Sequence, residues 1–136
     1  MSPEENTALI IRAIDLFNAR RLDEAVELYD LDYVNHGPGG QELRGRDGIR
    51  GLWDLFLGAF PDLTIAIEDV ICQGSKVALR WTVTGSHRGE FLGIPATNKS
   101  VTLRGVEIFQ VDNGTLREAW DQYDRLHLIE QIGSGP

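Results

Sequence analysis

Residues 63–83 read LTIAIEDVICQGSKVALRWTV, and their apolar spacing decides the fold class. Leu63, Ile65 and Ile67 alternate with Thr64, Ala66 and Glu68, the period-two pattern of a half-buried strand. Gln73-Gly74-Ser75 turns the chain, and Val77, Leu79, Trp81 and Val83 then share one face of a second strand. A third strand is predicted from about Ser100 to Val111. Asn113-Gly114 follows, the strongest short hairpin signal, and a fourth strand runs from about Thr115 to Asp124. A short helix is expected over Leu126 to Ile132.

Upstream of Leu63 the period is helical. Ser2-Pro3-Glu4-Glu5 places a cap, a proline at the first helical position and a capping-box glutamate. Ile10, Ala13, Ile14 and Phe17 form the buried stripe of that helix. Leu22, Ala25, Val26 and Tyr29 predict a second, short helix. Tyr33 to His36 reads as a brief strand before the Gly37-Pro38-Gly39-Gly40 break. A third helix is expected from about Asp47 to Phe60, with Ile49, Leu52, Trp53, Phe56 and Phe60 in register and Pro61 as its stop. Helices first and an antiparallel meander after them predict an α+β fold, with the helices on one side of a curved sheet. Residues 1–136 show no linker or repeat, and a single domain is expected.

The bulk composition narrows the partners. The chain has 136 residues, 42% of them hydrophobic, and a formal net charge of −8. Scattered basic residues on an acidic chain exclude nucleic acid, whose binders cluster Lys and Arg to displace counterions. No apolar run approaches the ~20 residues of a membrane span, so no membrane partner is expected. Cys72 is the only cysteine, which rules out an internal disulfide and suits a reducing compartment. The opening residues lack the basic and small-residue segments of a signal peptide, and the expected location is cytoplasmic.

The stretch from Trp81 to Val101, WTVTGSHRGEFLGIPATNKSV, resembles the signature of the SnoaL-like polyketide cyclases, also called ester cyclases. Gly85, His87, Gly89, Phe91, Gly93, Ile94, Pro95, Thr97 and Lys99 carry the likeness. Tyr33 to His36, Gly45 to Ile49, Phe60 to Leu63 and Trp120 to Gly133 extend it over nearly the whole chain. Ala119, where many members have His, is the main departure; Asn98 and His127 each replace a common Gly. The resemblance implies the cone-shaped, nuclear transport factor 2-like fold, in which N-terminal helices and a curved antiparallel sheet enclose a pocket. It also implies a small apolar or aromatic carbonyl compound as substrate and no cofactor, because the chemistry is proton transfer.

Strict alternation along the last strand puts Leu116, Glu118, Trp120, Gln122 and Asp124 on one face, with Arg117, Ala119, Asp121 and Tyr123 on the other. Taking the Trp120 face as inward places Asp124 in the pocket and makes Asp121 dispensable. The resemblance likewise singles out Asp124, four residues after the Trp, as general acid/base. An apolar cavity would raise its pKa toward the working range. The competing reading is that Asp124 caps the terminal helix. His36 is the second catalytic candidate, as a proton donor or acceptor, or else a residue bonding the adjacent Gly-rich loop. His87 is read as a loop anchor.

Arg104 is either a pocket guanidinium for an enolate oxygen or an ordinary outward strand charge. Asn35, Trp53, Trp81, Phe91 and Trp120 complete the substrate-binding candidates, the aromatics as core or as the wall for a planar ligand. No HxH or HxxxH spacing suggests a metal, and no P-loop, GxGxxG or GxSxG motif is present. The leading expectation is an aldol-type cyclase. The alternatives are a non-catalytic ligand-binding module or another acid/base enzyme of the fold, such as a dehydratase, an isomerase or an epoxide hydrolase. For the hydrolase, Arg104-Gly105-Val106 lacks the second carboxylate. Apolar residues on both sheet faces, among them Ala78, Val106 and Ile108 opposite the Leu79 and Leu103 side, predict a homo-oligomer, most simply a dimer.

Overall fold

The computed structural model describes residues 2–133. Helix α1 (Pro3–Asn18) begins with the expected capping box: Ser2 Oγ accepts from the Glu5 N–H at 3.1 Å, and Glu5 Oε1 accepts from the Ser2 N–H at 3.2 Å. Then follow α2 (Leu22–Val26), β1 (Tyr29–His36), a 3-10 turn at Pro38–Gly40, β2 (Glu42–Arg44) and α3 (Gly45–Ala59). Strands β3 (Thr64–Gln73), β4 (Lys76–Ser86), β5 (Ser100–Asp112) and β6 (Thr115–Tyr123) form the meander, and α4 (Arg125–Gly133) closes the described chain. Phe60 leaves the helical region (φ −129°, ψ 77°), as a residue before proline must.

The strands form one curved six-stranded sheet in the order β2-β1-β6-β5-β4-β3. It is mixed, which corrects the expectation of an antiparallel sheet. β3 to β6 pair antiparallel, but β1 lies parallel to β6, with His36 opposite Trp120. A connection through α3 and the whole meander separates the two strands, and so long a return permits either direction, unlike a hairpin. β1 is also longer than expected and starts at Tyr29, because α2 ends at Val26.

Helices α1 and α3 cover one face of the sheet. Ile10, Ala13 and Phe17 of α1 and Ile49 of α3 are buried against inward-facing Leu79, Trp81, Leu103 and Phe109. Two amides attach helices to the sheet by imitating a strand neighbour. The Asn18 side chain both donates to the Ile65 carbonyl and accepts from its N–H, each at 2.9 Å, along edge strand β3. Gln131 of α4 does the same to Thr102 of β5, at 2.8 and 2.9 Å, beyond the point where β6 stops pairing.

The loop between β4 and β5 holds the end of α3. Arg88 and Gly89 both donate N–H groups to the Ala59 carbonyl, at 2.9 and 3.1 Å, satisfying a helix-end acceptor. His87 anchors the same loop, with Nδ1 2.9 Å from Thr97 Oγ1. A Cβ on Gly89 would lie 2.1 Å from the Gly58 carbonyl oxygen, so any side chain must push loop and helix apart. Gly89→Ala should therefore destabilise the protein by about 1–3 kcal/mol, the usual cost of overpacking. A lower urea midpoint with an unchanged slope is the expected measurement.

Candidate active site

The residues that meet in the cavity are set by the hairpin between β5 and β6. On β5, Val101, Leu103, Gly105, Glu107, Phe109 and Val111 alternate inward. Val111 faces Leu116 across the hairpin, but Gln110 faces Glu118, so Arg117 is an extra residue in β6. This β-bulge reverses the phase of everything after it. Beyond it Ala119, Asp121 and Tyr123 point inward, and Trp120 and Gln122 point out. Glu107 and Asp121 consequently sit directly opposite each other on the inner face.

Around this pair lies a cavity of about 140 Å³. Tyr29 and Asn35 of β1, Trp81 of β4 and Tyr123 of β6 line it on the sheet side, and Phe17, Trp53 and Phe56 on the helix side. Gly105 makes room for this wall: a Cβ there would meet the Trp81 ring at 2.3 Å. Asn35, only 2% exposed, donates its amide to the Tyr33 hydroxyl at 2.9 Å.

The electrostatics follow from burial. Asp121 is 8% exposed, and its Oδ1 makes no hydrogen bond with any described residue. Loss of hydration pushes its carboxyl up to about 7. Glu107 is driven well above the ordinary carboxylate range, first by desolvation and then by the charge of Asp121. Burial, together with these two acids, also raises the Tyr29, Tyr33 and Tyr123 hydroxyls.

Asn35, Trp53 and Trp81 therefore line the cavity as candidates, but the five other candidates lie outside it. Phe91 is buried beside Phe56 and Phe60, behind the wall. Trp120 is on the outer sheet face, correcting the inward assignment, because the Arg117 bulge shifts the phase by one residue. His36 faces the same outer side: its Nε2 lies 2.6 Å from Glu118 Oε2, and its ring stacks on Trp120 at 5.6 Å. Arg104 is exposed on the outer face, since it neighbours the inward Leu103 and Gly105. Asp124 is exposed just beyond β6, and its Oδ1 accepts from the His127 N–H at 2.9 Å as the cap of α4. The expectation that Asp124 lies in the pocket and Asp121 outside it is thus reversed.

Glu107, Asp121, Tyr29 and Tyr123, which line the cavity, were missed as site residues. One signal for them was an acid at position 107 within the apolar face of β5, with Ala119 and Tyr123 flanking Asp121 on β6.

A curved sheet with helices closing a mostly apolar cavity is the nuclear transport factor 2-like fold, an α+β architecture. The model of the SnoaL-like polyketide cyclase family matches residues 8–132. The aklanonic acid methyl ester cyclase DnrD of Streptomyces peucetius is 25% identical over 129 residues, covering 92% of this chain and 88% of that protein. Among solved structures, AclR of Streptomyces galilaeus, described as a candidate hydroxylase, superposes with a TM-score of 0.89 at 30% identity, covering 99% of this chain and 85% of that one. IdmH of Streptomyces antibioticus, a candidate polyketide cyclase, gives 0.83 at 29% identity, with 95% and 99% covered. The chain belongs to the SnoaL-like polyketide cyclase family.

Asp121 binds its proton more tightly in the folded than in the unfolded chain, so stability falls as pH rises from the unfolded value of about 4 to the folded value of about 7. Asp121→Asn removes that loss. The variant should exceed the parent by about 2–4 kcal/mol at pH 8, with the margin vanishing near pH 4. Urea unfolding at the two pH values measures it; an equal margin at both would mean that Asp121 titrates normally.

Proposed function

We propose that the chain is an aldol-type cyclase whose general acid/base is Asp121. The observation that carries this reading is a buried carboxyl facing a mostly apolar cavity, its Oδ1 without a hydrogen-bond partner among the described residues and its pKa raised to about 7. The Asp121 carboxylate takes a proton from the carbon next to a substrate carbonyl, and the C–H electron pair passes to the carbonyl oxygen as an enolate. The enolate carbon attacks a second carbonyl of the same molecule, forming the C–C bond, and the new alkoxide takes the proton back from Asp121. No electrons leave the substrate and no co-reactant enters. Aromatic walls that fold the substrate raise the effective concentration of the two carbonyls. A cavity of about 140 Å³ is close to the size that holds one benzene ring, so the reacting ring is the part enclosed.

Aklanonic acid methyl ester, the substrate that names DnrD, is the first probe. Asp121→Asn should lower turnover by about 10²–10⁴-fold. Asp124→Ala, which removes only a helix cap, should leave kcat within a few-fold. In the parent protein kcat/KM should rise with pH through about 7, as the base loses its proton. An active Asp121→Asn protein would overturn the assignment. Binding without turnover in every variant would favour the ligand-binding module.

The outer sheet face supports a homodimer. Val106, Ile108 and Trp120 are exposed there on neighbouring strands β5 and β6, with Ile71 on β3, and an apolar patch of this kind ordinarily marks an interface. Among the described residues no helix is long and apolar enough to cross a membrane. The lone Cys72 suits a cytoplasmic enzyme. Light scattering at micromolar concentration should give twice the 15.2 kDa mass of one chain. Ile108→Lys should shift that mass toward a single chain, and a parent mass near 15.2 kDa would sink the dimer.

A further inference from the structure

Glu107 and Asp121 face each other across adjacent strands, inside a cavity lined, among the described residues, by no Lys, Arg or His. Two carboxylates in direct cross-strand apposition repel, and here no cation offsets the second charge. One proton is therefore retained between them near neutrality. Its location follows from what surrounds each acid. In the ladder Glu107 lies between Leu79 of β4 and Asp121 of β6, enclosed on both flanks. Asp121 lies one residue beyond the last β1–β6 pair, His36 with Trp120, where the strand flank is no longer covered by β1 pairing. The other titratable groups facing the pair are Tyr29 and Tyr33 from β1 and Tyr123 from β6, phenols that are neutral at pH 7 and that burial raises further. The faces of β4 and of the helices bring apolar side chains only.

We propose that Glu107 stays protonated through the reaction and donates that proton in a hydrogen bond to the substrate carbonyl oxygen, holding the enolate while Asp121 moves the proton. The two acids then have distinct tasks: Asp121 forms and breaks the bond to hydrogen, and Glu107 stabilises charge on oxygen without giving its proton away. A carboxylic acid is a donor only while protonated, and a cavity without cations preserves that state. Burial and the charge of Asp121 both act on Glu107 in the same direction. The Asn35 amide spends one of its two N–H groups on the Tyr33 hydroxyl, whereas Glu107 lies directly opposite Asp121 in the ladder. This inference rests on the aldol reading above and assigns the partner that reading needs.

Two measurements on the full chain test it. The first needs no substrate: carboxyl carbon-13 NMR with labelled Glu and Asp, assigned with Glu107→Gln and Asp121→Asn. Glu107 should keep its protonated chemical shift at pH 7 and ionise only after Asp121. In Asp121→Asn, where the neighbouring charge is gone, its midpoint should move to lower pH. If Glu107 ionises before Asp121, the proposal is overturned.

The second measurement is turnover of aklanonic acid methyl ester. Glu107→Gln, whose amide still donates, should stay within about 10-fold of the parent, whereas Glu107→Leu should lose about 10²-fold or more in kcat. The alkaline fall of the parent pH profile, caused by ionisation of Glu107, should be absent in Glu107→Gln. Equal losses in the Gln and Leu variants would overturn the donor role. The two readings fail separately: an active Asp121→Asn protein removes the aldol assignment and leaves the Glu107 titration readable. An inactive Asp121→Asn protein with Glu107 ionising first removes only the donor role.

Discussion

A single unpaired residue, Arg117, governs which side chains of the last strand reach the interior. Because β5 and β6 pair residue for residue on either side of it, the bulge moves the register by one and no more. Every inward position of β6 beyond it then changes identity. Ala119 sits opposite Phe109, Asp121 opposite Glu107 and Tyr123 opposite Gly105. Without the bulge, Trp120 would project into a space already occupied by Trp53, Phe56 and Trp81, and Asp121 would be solvated. The cavity, the acid pair and the outward tryptophan all depend on this one break in the ladder.

The same pairing places the acids where they oppose stability. Burying two carboxyls together gives up hydration that no hydrogen bond with a described residue restores at Asp121 Oδ1. The surrounding structure carries that loss through apolar burial. Phe17 meets Trp53 edge to face at 5.6 Å, Tyr29 meets Tyr33 at 4.8 Å, and Phe109, Leu103 and Leu79 are buried beside them. Such a local conflict inside an otherwise consistent core is expected where selection acts on chemistry rather than on stability. It also distinguishes Glu107 and Asp121 from the surface acids. Asp69 lies 2.8 Å from Arg80, and Asp23 lies 2.6 Å from Arg50, each pair in solvent.

The parts of the fold legible in the sequence are those set by near neighbours. The Ser2–Glu5 box, the helix stop at Phe60-Pro61, the Asn113-Gly114 turn and the alternation of β4 and β5 each depend on a few adjacent residues, and each is present. Trp53 and Trp81, which the sequence leaves open between core and pocket wall, line the cavity. The failures are non-local. The parallel partnership of β1 with β6 joins segments more than eighty residues apart, and no short pattern encodes its direction. Bulges at Glu68 and at Arg117 insert one residue into runs that otherwise alternate, so a face assigned from one end of the strand is wrong at the other. Trp120 was a misleading guide because a large apolar side chain also suits an outer face covered by something else. Here it lies between the His36 ring and the Lys76 ammonium, 5.1 Å from its centre.

Strands β1 and β6 thus carry two chemistries on opposite faces. Asn35 and Asp121 line the cavity with Ala119 buried on the same face, while His36, Glu118 and Trp120 form a polar-aromatic cluster outside. Because alternate residues of the same backbone serve both sides, a shift of β6 by one position would exchange the acid for the tryptophan. The His36–Glu118 bond at 2.6 Å lies across this parallel pair and ties β1 to β6 on the face opposite Asp121.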